Sequence, residues 1–230
     1  MANNQTSQNS MTGDTKLLSF GKIIIDDAKI LRIQGYRDLQ KVRPVIKRVA
    51  AAAARETETL IQSTAYFRNL DVYRCENGVL VLSDGTVFEN EAFERFFGDV
   101  KQVVVFILSM GHPLDQAIKS YIADDQLLNA LFMETAGWLG IEAATKQLSR
   151  HLKPLAEQAG CRLSPRLGPG YSYKLNGRSV VWPLEQQHTL FELFKGQTID
   201  VELLESSAML PKISRSGVFG FISDRETSKI

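Results

Sequence analysis

The stretch Val103-Val-Val-Phe-Ile-Leu108 constrains this chain more than any other, because its residues are apolar without interruption. It is far shorter than the ~20 residues of a membrane helix, as is every later apolar run, so by length it reads as a buried strand, here placed at Gln102 to Leu108. Ser109-Met-Gly-His-Pro113 then turns into a helix beginning near Leu114-Asp115, and a further helix is predicted from about Asp125 to Leu152, with Pro154 weakening its end. Upstream, Leu17 to Ile25 reads as a strand, Asp26-Asp27 caps a short helix through Arg32, and Gly35 stops it. A long helical pattern from Lys41 to Gln62 contains the alanine run Ala50 to Ala54, suited to a close helix contact. Residues 63 to 90 hold short strand-like pieces with turns at Glu76-Asn-Gly78 and Asp84-Gly85, and Glu91 to Phe97 reads as a helix. Leu184 to Phe194 is helical, with strands at Thr198 to Leu204 and Gly217 to Ile222. Strands and helices in mixed order, without strict alternation, predict an α+β fold and argue against a doubly wound nucleotide-binding sheet.

The chain has 230 residues and 44% hydrophobic content, enough for a sizeable core. Lys and Arg number 27 against 26 for Asp and Glu, so no surplus charge draws it to nucleic acid or to a membrane surface. Cys75 and Cys161 stand alone, which points to neither a disulfide framework nor a thiolate metal site and fits a reducing cytoplasm. Residues 1–15, rich in Asn, Gln, Ser and Thr, read as a disordered tail, followed by an N-terminal α+β part over 16–100 and a second part over 101–230, the two forming one compact unit. The basic residues Lys41, Arg43, Lys47, Arg48 and Arg55 read as a solvated helix face.

Two features carry candidate chemistry. The loop Arg166-Leu-Gly-Pro-Gly-Tyr171 packs Gly168 and Gly170 between an arginine and a tyrosine, which brings backbone close to a flat polar ligand; on spacing alone an ordinary Pro-Gly turn explains it as well. On the long helix, Leu128, Leu131, Thr135, Trp138 and Glu142 are spaced 3, 4, 3 and 4, so Glu142 falls on a mainly apolar stripe. A carboxylate there needs a donor such as a ligand's ammonium, unless the face turns outward at that point or a basic side chain pairs it. His112, His151 and His188 have no second ligand at metal spacing, and no catalytic residue is assigned. GxSxG, GxGxxG and Walker loops are missing, as is the Asp-x-His-x-x-Gly pattern of a corrinoid carrier.

Several motifs in sequence order nevertheless resemble one family. They are Leu31-Arg-Ile-Gln-Gly-Tyr36, Leu108-Ser-Met-Gly-His-Pro-Leu-Asp115, Gly140-Ile-Glu-Ala143, Arg166-Leu-Gly-Pro-Gly-Tyr171, Trp182-Pro-Leu-Glu-Gln186, Leu204-Glu-Ser-Ser-Ala-Met209 and Ser214-Arg-Ser-Gly217. From Asp26 to Phe221 the chain resembles the activation (reactivation) domain of cobalamin-dependent methionine synthase, in its free-standing form. The resemblance implies a mixed, mainly antiparallel sheet flanked by helices, with the ligand loop in the 101–230 part. It implies an S-adenosylmethionine site in which Arg166 takes the methionine carboxylate, Glu142 the amino group, Gly168 and Gly170 lie against the ligand, and Tyr171 positions it. It also implies reductive methylation of cobalamin supplied by a corrinoid-binding methyltransferase protein, with a flavodoxin-type or other electron donor. Two departures stand out: Ser172 to Val181 is longer and more basic than the family's link, and the sequence ends at Ile230 where fused enzymes continue into a segment with a further tyrosine near the ligand. These favour an alternative, a non-catalytic docking or assembly subunit of a corrinoid methyltransferase system.

Overall fold

The computed structural model describes residues 14–223, so all but the end of the expected N-terminal tail lies outside the described residues. Strand β1 (Lys16–Ser19) is shorter than predicted, because Ile23-Ile-Ile25 joins no strand. Ile23 and Ile25 are buried, Ile24 is exposed, and the Ile25 amide donates to Glu58 Oε1 (2.8 Å), a side-chain partner in place of a neighbouring strand. In helix α1 (Asp27–Ile33) the Asp26 carboxylate caps Ala28 N–H, as expected, and helix α2 (Pro44–Leu60) turns Ala50, Ala53 and Ala54 into the core. The 63–90 region is one long strand and two short ones: β2 (Thr64–Glu76), β3 (Val79–Leu82) and β4 (Val87–Glu89). Asn77 and Gly78 close the first hairpin with both φ positive, 51° and 75°.

Helix α3 (Ala92–Phe97) leads into β5 (Val100–Ser109), then α4 (His112–Ala123) and the 32-residue α5 (Leu127–Gln158). Helix α5 runs through Pro154 instead of weakening there. Leu152 and Ala156 are wholly buried on either side of it, and their packing outweighs the hydrogen bond that proline removes. The remainder comprises β6 (Cys161–Leu163), β7 (Ser172–Leu175), β8 (Arg178–Val181), α6 (Gln186–Glu192), β9 (Glu202–Leu203), β10 (Met209–Leu210) and β11 (Ser214–Ser223). The strand predicted over Thr198 to Leu204 contracts to β9, which pairs with β10 in a two-stranded sheet.

The main sheet runs β4-β3-β2-β5-β11-β6, with β1 also on β2, and its pairings are antiparallel. The fold is thus α+β with a mainly antiparallel sheet flanked by helices. Pairing of β2 with β5, from Thr64↔Ser109 to Asp71↔Gln102, ties residues of the 16–100 and 101–230 parts into one sheet. The apolar run sits at its middle, flanked by β2 and β11. Val104, Phe106 and Leu108 enter the core under α1, α2, α4 and α5, while Val103, Val105 and Ile107 enter a second core with α3 and α6 on the opposite face. The buried face of α5 includes Phe132, Met133, Ala136, Gly140, Ile141, Ala144 and Leu148. The stripe read from the sequence lies on the outer flank: Leu128, Leu131 and Trp138 are exposed, and of its members only Thr135 is buried. No described helix is long and apolar enough to cross a membrane.

Candidate functional site

The Arg166–Tyr171 loop begins as a continuation of the β6 edge. Ser164 N–H donates to Gly220 O (2.9 Å) and receives Gly220 N–H on Oγ (2.7 Å), and Leu167 exchanges two backbone bonds with Val218 (2.9 and 2.7 Å). The chain then lifts off the sheet at Gly168. A Cβ there would stand 2.7 Å from Arg166 Nη1 and 2.9 Å from Ser216 O, so glycine is needed for the guanidinium to fold beneath the loop. Gly170 has φ 81°, and its N–H donates to Trp182 O (2.8 Å) while Trp182 N–H returns to Tyr171 O (3.0 Å). Trp182 is a firm anchor: it is fully buried, lies edge-on to Phe88 and Phe93, and donates Nε1–H to Gln186 Oε1 (2.8 Å). The departure after Tyr171 is the β7–β8 hairpin. From it Tyr173 Oη accepts from Gly168 N–H (2.7 Å) and donates to Gly168 O (3.1 Å), bracing the loop from behind.

Three charged side chains meet at this loop. The Arg166 guanidinium lies 4.1 Å from the Tyr171 ring centroid, and its buried Nη1 has no hydrogen-bond partner among the described residues. Burial, and secondarily the positive charge of Arg215, hold Arg166 below the usual arginine range, partly offset by Tyr171. Arg215 comes from β11 with a side chain only 6% exposed; it pairs with Glu142 Oε1 (2.7 Å) and donates to Thr145 Oγ1 (3.0 Å), leaving Nε without a partner among the described residues. Glu142 itself is 53% exposed. Burial pushes its carboxyl upward, but the hydrogen bond and charge of Arg215 outweigh that and set it below the ordinary glutamate value. Of the alternatives open for Glu142, two are therefore realised: the helix face turns outward, and a basic side chain pairs it.

These residues line two adjoining clefts. The larger, ≈ 400 Å³, takes Trp138, Gly170, Tyr171, Leu184, Gln187 and Arg215 among its walls. The smaller, ≈ 260 Å³, takes Glu142, Lys146, Ser164, Arg166 and Arg215. Gly170 and Tyr171 thus face one cleft, Glu142 and Arg166 the other, and Gly168 lines neither; it is the close-packed floor of the loop. Gln187 links α6 to β11 by accepting from Ser216 Oγ (2.9 Å) and donating to Ser207 O (2.8 Å), so the motifs read separately in the sequence converge here. Arg215 and Trp138 were not singled out as site residues. The sequence signal for Arg215 is its place in the Ser214-Arg-Ser-Gly217 motif, just before the strand read at Gly217 to Ile222. A third groove, ≈ 260 Å³, between α2, α4 and α5 is lined by Val45, Val49, Ala53 and Met133 and contains the Tyr121–Glu56 hydrogen bond (2.8 Å), but no buried guanidinium. Among the described residues, no three His, Cys, Asp or Glu side chains gather as metal ligands do.

By sequence, no protein-family model and no curated protein matches the chain. By structure it is similar to the MetH reactivation domain bound to AdoHcy, with a TM-score of 0.65 at 15% identity, over 93% of this chain and 80% of that one. The chain has the fold of the methionine synthase reactivation domain.

Proposed function

We propose that the protein binds S-adenosylmethionine at the Arg166–Tyr171 loop and acts as a reactivation partner for a cobalamin-dependent methyltransferase. The observation that carries the reading is the buried Arg166 Nη1 without a partner, beside a half-exposed carboxylate and an exposed aromatic ring. A guanidinium removed from water wants an anion, and a carboxylate answers it with charge-assisted bonds. The carboxylate of a methionine moiety fits Arg166, which lines the smaller cleft. The larger cleft offers the Trp138 and Tyr171 rings to a flat base. That a domain of the same fold is bound to AdoHcy supports a ligand of this class.

The chemistry needs no acid, base or metal from this chain; its residues hold a methyl sulfonium in place, which is catalysis by positioning. The methyl leaves with its sulfur keeping the bond pair, so S-adenosylhomocysteine is the product. The acceptor is the cobalt(I) of a cobalamin on a corrinoid-binding protein, after one electron from a flavodoxin-type donor. The β7–β8 hairpin braces the ligand loop through Tyr173, which supports a preformed ligand site.

Isothermal titration with S-adenosylmethionine tests it. The intact protein should bind, and Arg166→Ala should bind roughly tenfold to hundredfold more weakly, the value of a charge-assisted hydrogen bond. An absence of heat with the folded intact protein ends the reading.

A further inference from the structure

The amino-acid end of S-adenosylmethionine is a zwitterion, and the groups that would receive it are unequal in charge. Lys146, Arg166 and Arg215 line the smaller cleft with a single carboxylate, that of Glu142. Arg215 already satisfies that carboxylate at 2.7 Å, and Thr145 Oγ1 holds the guanidinium in place at 3.0 Å. An ammonium drawn to Glu142 therefore meets Arg215 at similar range and opposite sign, and the attraction is largely cancelled. A carboxylate at the same place is repelled by Glu142 but drawn by Arg166, Arg215 and Lys146, so the net positive charge of the cleft favours it. Each of the two guanidinium groups retains a buried N–H without a partner among the described residues, Nη1 on Arg166 and Nε on Arg215.

We infer that Arg215 is a ligand-binding residue that makes this a carboxylate-reading site: Arg166 and Arg215 together hold the ligand's carboxylate, and the Arg215–Glu142 pair frees recognition from the ligand's ammonium. The inference rests on the S-adenosylmethionine reading above. Both guanidinium groups stand beside the Tyr171 ring, with Arg166 at 4.1 Å and Arg215 at 6.0 Å from its centroid, so one small displacement of the ring bears on both.

Three ligands separate the possibilities on the intact protein: S-adenosylmethionine, its decarboxylated form and its deaminated form, each titrated calorimetrically. Loss of the carboxylate should weaken binding by roughly a hundredfold and loss of the amino group by less than about threefold. In Arg215→Met, Glu142 is released to the ammonium, and deamination should then cost about tenfold or more. A tenfold cost of deamination in the intact protein overturns the inference while leaving the S-adenosylmethionine reading standing. Failure of the intact protein to bind S-adenosylmethionine overturns both. The three-ligand comparison needs no variant, so it decides the matter even where Arg215→Met unfolds the strand.

Discussion

Gly168 shows what a single residue contributes to this site. In the sequence it stands as one of two loop glycines assigned to lie against a ligand, but in the structure it touches neither cleft and makes room for others. Its missing Cβ leaves space for Arg166 Nη1 and for the backbone carbonyl of Ser216. The arginine can move; the carbonyl, held in β11, cannot. Gly168→Ala is accordingly expected to destabilise the protein by about 1–3 kcal/mol, the cost of overpacking, read as a shift in the urea midpoint, and to weaken S-adenosylmethionine binding in parallel. An unchanged midpoint would mean that the loop swings clear of Ser216. Arg166, Glu142 and Tyr171 could be picked out from motif order, whereas Arg215 could not be assigned a role. An arginine next to a strand usually points to water, but this one is buried and paired with Glu142 and Thr145 from α5.

At the scale of elements, periodicity placed the helices and the central strand but misjudged which side of α5 faces inward. The spacing of Leu128, Leu131, Thr135 and Trp138 fits a core stripe by hydrophobicity. The contact face instead carries Ala136, Gly140 and Ala144, small residues that add little to a hydrophobic pattern yet allow close approach. The β7–β8 hairpin is the converse case. Read as a longer, more basic run than the family's link, it favours a docking role; folded, it becomes the brace of the loop through one hydroxyl. Tyr173→Phe removes the two bonds that this hydroxyl makes to Gly168, at 2.7 and 3.1 Å. The expected loss is about 1–2 kcal/mol of stability, together with faster hydrogen exchange at the Gly168 amide. Exchange at wild-type rate would show that the loop is held by Trp182 and β11 without the hairpin.

For the whole molecule, the decisive fact is that one helix serves both the main core and the site. The central position of β5 followed from its unbroken apolar run and the β2-β3-β4 hairpins from their turns, but the β2-β5, β5-β11 and β11-β6 pairings join residues far apart in sequence, which no local pattern encodes. Helix α5 packs closely at Gly137 against Leu114 and Ile213 and at Gly140 against the ends of α2 and β5; a Cβ on Gly140 would come within 2.9 Å of Ile61 Cδ1 and 3.3 Å of Met110 Sδ. Both neighbours are flexible side-chain ends, and alanine gains about 1 kcal/mol of helix propensity over glycine, so Gly140→Ala should be close to neutral. Valine adds two further methyl groups where a shift of a few tenths of an ångström no longer suffices, and Gly140→Val should cost about 1–3 kcal/mol. Trp138 and Glu142 flank this position on the same helix, one at each cleft. The valine variant should therefore lose S-adenosylmethionine affinity as well as melting temperature, while the alanine variant keeps both. A valine variant that melts early but binds normally would show that the clefts keep their shape independently of how α5 seats on the sheet.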